Sequence, residues 1–131
     1  MYDSLYDLLD FEKIQKKIEI GDIEIAPLAF MRGRTLDNSF VILDEGQNAT
    51  ENQMKMFLTR MGTSAKFIIT GDLSQIDLSK SQISGLLKAK EKLNKVKGIS
   101  FIYLDEKDVI RHKLVKQIIK AYKTKKNDEN N

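Results

Sequence analysis

The sequence contains no cysteine among its 131 residues, which excludes a disulfide framework, a thiolate metal site and a cysteine nucleophile. Its single histidine, His112, argues against a multi-histidine metal site or a histidine-containing catalytic triad within one chain. No uninterrupted apolar run approaches the roughly 20 residues that a membrane-spanning helix needs. The N-terminal stretch MYDSLYDLLD is acidic, unlike a signal peptide. Together these absences predict a cytoplasmic protein that does not engage a membrane.

The composition is typical of one modest globular domain, with 41% hydrophobic and 31% charged residues. The formal net charge of +3 conceals an uneven distribution of the basic residues. The stretch from Gly85 to Lys97 contains five lysines and one glutamate, and the stretch from Lys107 onward contains eight basic and three acidic residues. Such a basic second half is compatible with a nucleic acid or an acidic partner, although runs of this kind more often mark solvated helix faces.

Strand and helix patterns alternate along the chain, which predicts an α/β fold with a mainly parallel sheet flanked by helices. The first predicted elements are a helix over 3–20 that ends at Gly21, a strand over 23–27 before the single proline and a strand starting at Phe40. A helix then follows a capping box of Thr50 and Gln53 and ends at Gly62, and a strand covers 66–70. The last elements are a helix from Ser84 or Gly85 to Gly98, a strand over 99–104 and a helix over about 107–123. Residues 1–123 are predicted to form one domain. The polar tail over 124–131 has no apolar content to bury and is predicted to be disordered.

Two of the predicted strands end in polar side chains. The apolar run FVIL, which we expect to be buried on both faces of a parallel sheet, is followed directly by Asp44 and Glu45. The next strand, KFIIT, is followed by Gly71 and Asp72, with Gln75 three residues further on. Because ligands of open α/β sheets bind at the carboxyl ends of the strands, these side chains are candidates for one site. Adjacent acids at such a position form the Walker B arrangement of phosphoryl-transfer proteins.

An ordered series of segments covering nearly the whole chain resembles the C-terminal part of the PhoH-like family. That family consists of P-loop ATPases related to the superfamily-one helicase core. The segments that carry the resemblance are YDSLYDLL, IEIAPLAFMRGRTLDNSFVILDEGQNAT, QMKMFLTRMG, TGDLSQIDL, SGL, GISFIYL and DVIRHKLVKQIIKAY. The resemblance implies that the chain contributes part of a RecA-like P-loop core.

The resemblance also implies roles for the polar residues at the strand ends, with ATP and Mg²⁺ as ligands. Asp44 would hold Mg²⁺ through water, and Glu45 would be the base that activates the attacking water. Gln47, Asp72 and Gln75 would sense the γ-phosphate and couple its loss to movement. Judged from the residues alone, a carboxylate that caps its own turn is the favoured interpretation of Asp72, and the two glutamines have the alternative of being surface amides.

Arginine is scarce in this chain, which has four arginines among its 22 basic residues. Ring-forming P-loop ATPases bring an arginine from a neighbouring subunit to the γ-phosphate, where negative charge develops. Arg111, Arg32 and Arg34 are candidates for this role in a homo-oligomeric ring. The alternatives are a salt bridge from Arg111 to Asp108 and, for the other two, a contact with a phosphate or an acidic group at a loop surface, while Arg60 is predicted to be structural.

The sequence contains no glycine-rich phosphate loop of the form GxxxxGK[ST], the usual partner of a Walker B strand. The resemblance therefore implies that the Walker A half is supplied as a separate N-terminal part. We expect the chain to be a fragment or truncated product that is inactive by itself and acts as an ATPase, coupled to RNA or other nucleic-acid remodelling, in the full-length context. The alternatives are a non-enzymatic nucleic-acid-binding module, with the lysine-rich helices as its surface, and an inactive fragment.

Overall fold

The described part of the chain, residues 2–105, 108 and 112–124 of a computed structural model, combines helices with a small parallel sheet. Residues 1–96 and 97–131 form two separate compact units. The first unit contains, in order, α1 (Tyr2–Leu8), α2 (Phe11–Glu19), a 3-10 helix (Leu28–Met31), β1 (Phe40–Leu43), a second 3-10 helix (Gly46–Asn48), α3 (Glu51–Leu58), β2 (Lys66–Ile69) and α4 (Gly85–Leu93). The second unit contains α5 (Lys113–Thr124). No helix among the described residues is long and apolar enough to span a bilayer.

Strands β1 and β2 pair in parallel, as predicted, with Val41 opposite Phe67 and Leu43 opposite Ile69. Helix α3 lies between the two strands in the chain and buries Phe57, which is 3% exposed. The ring of Phe57 lies 5.0 Å from the ring of Phe67, so α3 packs against the inner face of the sheet. This β–α–β arrangement brings the carboxyl ends of both strands to one edge.

The outer face of the sheet is exposed, so the prediction that β1 is buried on both faces is wrong. The side chains of Phe40 and Ile42 are 77% and 56% exposed, and Ile68, opposite Ile42, is 40% exposed. Within the described residues, helices cover only the inner face, and a sheet face without a covering layer stays in contact with water.

Helix α3 begins at the predicted capping box. The Thr50 amide donates to Gln53 Oε1 over 2.8 Å, and the Gln53 amide donates to Thr50 Oγ1 over 3.3 Å. The amide of Gly85, the first residue of α4, donates to the carbonyl of Ala49 over 2.7 Å. These bonds place the N-termini of α3 and α4 side by side. Both helices end earlier than predicted, α3 at Leu58 and α4 at Leu93.

The helix predicted over residues 3–20 is divided into α1 and α2. Asp10 lies between them with φ −57° and ψ 144°, an extended conformation that a continuous helix does not contain. Its carbonyl accepts the Ile14 amide over 3.1 Å and so starts α2. Ile14 is fully buried, which explains why the second helix is anchored at this position.

The strands predicted over 23–27 and 99–104 are not formed within the described residues, where only β1 and β2 pair. Both stretches lack regular secondary structure there, and Ile102 is 85% exposed. A strand forms only where a neighbouring backbone accepts and donates its hydrogen bonds, and the described residues offer neither stretch such a neighbour. The two expectations of a strand were therefore wrong for this structure.

The last helix begins at Lys113 rather than at about residue 107. The Leu114 amide donates to His112 Nδ1 over 3.2 Å, and Asp108 lies in a turn instead of the helix. Arg111 lies outside the described residues, as does most of the predicted tail, residues 125–131.

Asp37 fixes the start of the loop that leads into β1. Its Oδ1 accepts the amides of Ser64 over 2.7 Å and Asn38 over 2.9 Å, and its Oδ2 accepts the Thr63 hydroxyl over 3.4 Å. These bonds, the Ser64 amide first, hold the pKa of the Asp37 carboxyl below its ordinary value of 3.8.

Because the folded state lowers the Asp37 pKa, this carboxylate stabilises the fold above pH 3.8, and the contribution is lost as the pH falls through the lower folded pKa. We expect Asp37→Asn to be less stable than the parent chain at pH 7, with the difference shrinking below pH 4. Urea denaturation of both proteins at pH 7 and pH 3 measures this. A difference that is the same at both pH values would contradict the prediction.

Candidate functional site

The carboxyl ends of β1 and β2 are joined by backbone hydrogen bonds that continue past the last paired residues. The Thr70 amide donates to the Leu43 carbonyl over 2.9 Å, and the Gly46 amide donates to the Thr70 carbonyl over 2.8 Å. Asp44 and Glu45 therefore lie beside the segment that begins at Thr70. The structure thus places the two polar segments at one edge of the sheet, as the sequence predicted.

The Asp44 carboxylate is held through one of its two oxygens. Its Oδ1 accepts the Glu45 amide over 3.0 Å and the Thr70 hydroxyl over 2.7 Å. No described residue donates a hydrogen bond to the other oxygen, and the side chain is exposed. The carboxylate thus has a fixed orientation and one oxygen that is available to a ligand.

Glu45 has a left-handed backbone, with φ 54° and ψ 35°. This conformation is uncommon for a residue with a Cβ atom. It turns the chain from β1 into the 3-10 helix Gly46–Asn48, and the Glu45 side chain then accepts the Gln47 amide group at Oε2 over 2.6 Å. The two adjacent carboxylates consequently have different partners.

Gln47 is the buried link between the two strand ends. Its side chain is 1% exposed, so the alternative of a surface amide is wrong for this residue. Its Oε1 accepts the Asp72 amide over 3.1 Å, while its Nε2 donates to Glu45 and also reaches the Gln75 carbonyl at 3.5 Å. One amide group therefore contacts Glu45, Asp72 and Gln75 together.

Asp72 caps its own turn, as the alternative interpretation of the sequence suggested. Its Oδ1 accepts the amide and hydroxyl of Ser74 over 2.9 and 2.7 Å, and its Oδ2 accepts the Gln75 side-chain amide over 2.6 Å. Gln75 is thus held in the same hydrogen-bonded group as Asp44, Glu45 and Gln47. Movement at either strand end would alter bonds at the other.

A shallow cavity of about 310 Å³ opens beside the two carboxylates. One wall is apolar, and Asn48 and Gln53 add two amides. The apolar lining residues are Ala26, Leu28, Ile42, Leu43 and Ala49. A ligand at Asp44 and Glu45 would therefore lie beside Ile42 and Leu43 at the end of β1.

The structure does not bring Arg32 or Arg34, the two described candidate arginines, into the hydrogen-bonded group. Arg34 donates through Nη1 and Nη2 to both oxygens of Glu24, over 2.7 and 2.8 Å, and this lowers the pKa of the Glu24 carboxyl. Arg32 is exposed, and Arg111 lies outside the described residues. Arg60 donates to the carbonyls of Met56 and Arg34, in agreement with its predicted structural role.

The lysines of α4 are partly neutralised by neighbouring carboxylates. Lys88 pairs with Glu91 at 2.7 Å, and Lys92 pairs with Glu51 at the start of α3. The Glu91 hydrogen bond raises the pKa of Lys88. Two of the lysines of α4 are therefore paired with carboxylates of this chain.

Two polar residues of the site were not among those predicted from the sequence. Thr70 bonds to Asp44, and Asn48 Oδ1 accepts the Asp77 amide over 2.7 Å, which ties the loop after β2 to the 3-10 helix. The signal for Thr70 was present, because a parallel strand pair continued by one residue sets position 70 beside position 44. Asn48 had no such signal, since its partner lies in an irregular loop.

The donor set fits a weakly ligated divalent cation rather than a closed metal centre. No group of three or more histidine, cysteine, aspartate or glutamate side chains is gathered among the described residues. Mg²⁺ in nucleotide sites is held by one or two carboxylates, with water and phosphate oxygens as the other ligands. The free oxygen of Asp44 meets that requirement.

Comparison with known proteins shows which family this chain resembles. A family model described as PhoH-like protein matches residues 1–123. The PhoH-like protein of Bacillus subtilis (strain 168) is 60% identical over 122 residues, covering 93% of this chain and 38% of that protein. The PhoH-like protein of Synechocystis sp. is 52% identical over 127 residues, covering 97% of this chain and 39% of that protein.

Protein PhoH of Escherichia coli (strain K12) is 45% identical over 104 residues, which are 79% of this chain and 29% of that protein. The chain thus spans about two fifths or less of the length of these relatives. The match extends over almost the whole chain and confirms the resemblance to the PhoH-like family. The chain belongs to the PhoH-like protein family.

Proposed function

We propose that this chain supplies the metal-binding and water-activating side of an Mg²⁺-dependent ATPase site. The observation that carries the proposal is the single hydrogen-bonded group at the ends of β1 and β2. Asp44 and Glu45 lie at one strand end, and buried Gln47 connects Glu45 to Asp72 and Gln75 at the other. Adjacent carboxylates joined to a polar loop in this way suit hydrolysis of a phosphoanhydride.

Asp44 is the proposed ligand of Mg²⁺, through an intervening water. Its Oδ1 already accepts the Glu45 amide and the Thr70 hydroxyl, so the other oxygen, to which no described residue donates, would be the one available to the cation. The cation, when bound, neutralises charge on the β- and γ-phosphate oxygens. Asp44 contributes a single carboxylate in a fixed orientation, which leaves most of the coordination sphere to water and phosphate.

Glu45 is the proposed base. A carboxylate next to the metal ligand orients the attacking water and accepts its proton as the water oxygen bonds to the γ-phosphorus and the bond to the leaving diphosphate breaks. In the present structure Glu45 accepts the Gln47 side chain at 2.6 Å. We propose that Gln47, Asp72 and Gln75 respond to the γ-phosphate and pass its loss to the loop after β2.

The phosphate-binding loop of this ATPase is proposed to lie in sequence outside the 131 residues.

A neighbouring subunit of a homo-oligomeric ring would add an arginine. Of the two described candidates, Arg32 is the one we favour, because the guanidinium of Arg34 is already paired with Glu24. Arg111 retains the same proposed role. RNA as a partner of the complete ATPase rests on the family resemblance alone.

A chimera tests the proposal, with this chain replacing the matching 122 residues of the Bacillus subtilis relative. In that protein we expect Asp44→Asn to raise the Mg²⁺ concentration for half-maximal ATP hydrolysis by at least about tenfold, since a neutral amide binds Mg²⁺ more weakly than a carboxylate. Hydrolysis rates measured over a Mg²⁺ series give this value.

The control for Asp44→Asn is Asp22→Asn. Asp22 is also exposed, and it pairs with Lys17 at 3.1 Å in the turn after α2, on the side of the amino ends of β1 and β2 and not of their carboxyl ends. We expect Asp22→Asn to leave the Mg²⁺ dependence unchanged. A parent chimera that hydrolyses no ATP, or an Asp44→Asn variant with parental Mg²⁺ dependence, would refute the proposed function.

A further inference from the structure

We propose that Thr70 is a positioning residue that fixes the Asp44 carboxylate for a divalent cation. The inference rests on the proposed function for the identity of the ligand, and on the structure for the contact itself. The Thr70 hydroxyl donates to Asp44 Oδ1 over 2.7 Å, a contact that crosses from the end of β2 to the end of β1.

All three polar groups of Thr70 bond to the last residue of β1 or to the turn that follows it. Its amide donates to the Leu43 carbonyl over 2.9 Å, its carbonyl accepts the Gly46 amide over 2.8 Å, and its hydroxyl donates to Asp44. The two backbone bonds fix the position of the Thr70 Cα atom relative to Asp44. The hydroxyl contact is therefore a consequence of the strand pairing, and it selects one orientation of the carboxylate.

The choice of a hydroxyl has a chemical consequence. A lysine or arginine at this position would also hold Asp44, but its positive charge would oppose a cation at the same carboxylate. A neutral hydroxyl donor orients Asp44 and leaves its negative charge for the ligand. Together with the Glu45 amide, it places two donors on Oδ1 and none from the described residues on the other oxygen.

The first test measures the contact without any metal. In the 131-residue chain, three-bond scalar couplings report the χ1 angle of Asp44. We expect one rotamer in the parent and in Thr70→Ser, which keeps the hydroxyl, and rotamer averaging in Thr70→Val, which removes it at nearly constant volume. Thr63→Val removes a threonine hydroxyl that contacts a different aspartate, Asp37 before β1, and should leave Asp44 unchanged.

The second test uses Mn²⁺ alone as the probe, with paramagnetic broadening of the backbone amides as the readout. We expect broadening centred on Asp44 and Glu45 in the parent, in Thr70→Ser and in Thr63→Val. In Thr70→Val the Mn²⁺ concentration needed for the same broadening should rise about tenfold, as is usual when a residue that orients a metal ligand is lost.

The outcomes separate this inference from the proposed function. An unchanged Asp44 rotamer in Thr70→Val, or parental Mn²⁺ affinity in that variant, would overturn the role of Thr70. Failure of Thr70→Ser to match the parent would overturn it too, because a hydroxyl effect must survive in serine. A parent chain that shows no broadening at Asp44 would refute the cation site of the proposed function, while the rotamer measurement would still decide whether Thr70 positions Asp44.

Discussion

Replacement of Glu45 by glutamine is expected to lower ATP turnover of the chimera by about a hundredfold to ten-thousandfold, the range over which a positioned general base contributes. Glutamine keeps the length of the side chain and an oxygen that can accept the Gln47 amide, now 2.6 Å from Glu45 Oε2. It does not accept a proton from water. The change therefore removes the base and retains the local packing, and nucleotide affinity should stay near that of the parent.

The measurements that distinguish a base from a binding residue are single-turnover hydrolysis and equilibrium nucleotide binding. Glu51→Gln is the matched control, since Glu51 is a nearby glutamate whose pKa is lowered by its contact with Lys92 at the surface. We expect that variant to retain parental turnover. Parental hydrolysis by Glu45→Gln would remove Glu45 from the mechanism, and equal losses of affinity and turnover would assign it to binding instead.

The backbone of Glu45 gives independent support to a role beyond folding. A left-handed residue with a Cβ atom costs about 1 to 3 kcal/mol when it is held in a sparsely populated region, a cost that glycine avoids. Position 45 nevertheless carries a glutamate at φ 54°, and the glycine of this turn stands at the next position, Gly46. Because glutamate makes this turn less stable than glycine would, a function of the Glu45 carboxylate explains the residue better than the stability of the turn does.

Local features of the fold could be predicted because their determinants are close together in the sequence. The capping box of Thr50 and Gln53 specifies the start of α3 within four residues, and the structure contains both of its hydrogen bonds. The meeting of the two polar segments followed from a general property of parallel strands, whose carboxyl ends share one edge. The parallel pairing alone was sufficient to group Asp44, Glu45, Asp72 and Gln75, whereas Gln47 was included only through the resemblance to the PhoH-like family.

The predictions that were wrong depended on partners that a local pattern does not contain. The stretches over 23–27 and 99–104 have the alternation or apolar content of strands, but a strand also needs a neighbouring backbone. The ion pair of Arg34 with Glu24 agrees with the alternative of an acidic contact at a loop surface, but it spans ten positions through an irregular connection, so no helical or strand period identifies Glu24 as the partner. Likewise, the burial of Gln47 depends on the loop after β2 and has no hydrophobic signature in the sequence.

Replacement of Gly85 by alanine is expected to destabilise the chain by about 1 to 3 kcal/mol, the usual cost of overpacking a close contact. A Cβ at this position would lie 2.5 Å from the Thr50 carbonyl oxygen and 2.6 Å from Met54 Cβ. Because the first contact is with backbone, α4 would have to shift away from α3. Alanine favours a helix over glycine by about 1 kcal/mol, which reduces the loss but does not reverse it.

Urea denaturation of the 131-residue chain measures this change as a lower midpoint at unchanged slope. Asn94→Ala, at the exposed end of α4, is the control and should stay within about 0.5 kcal/mol of the parent. The Gly85 amide bonds to Ala49, directly after the 3-10 helix that carries Gln47, so a displaced α4 should also disturb the link between the strand ends. Parental or greater stability of Gly85→Ala would show that the two helices separate at no cost, and that their close contact does not hold the Gln47 turn in place.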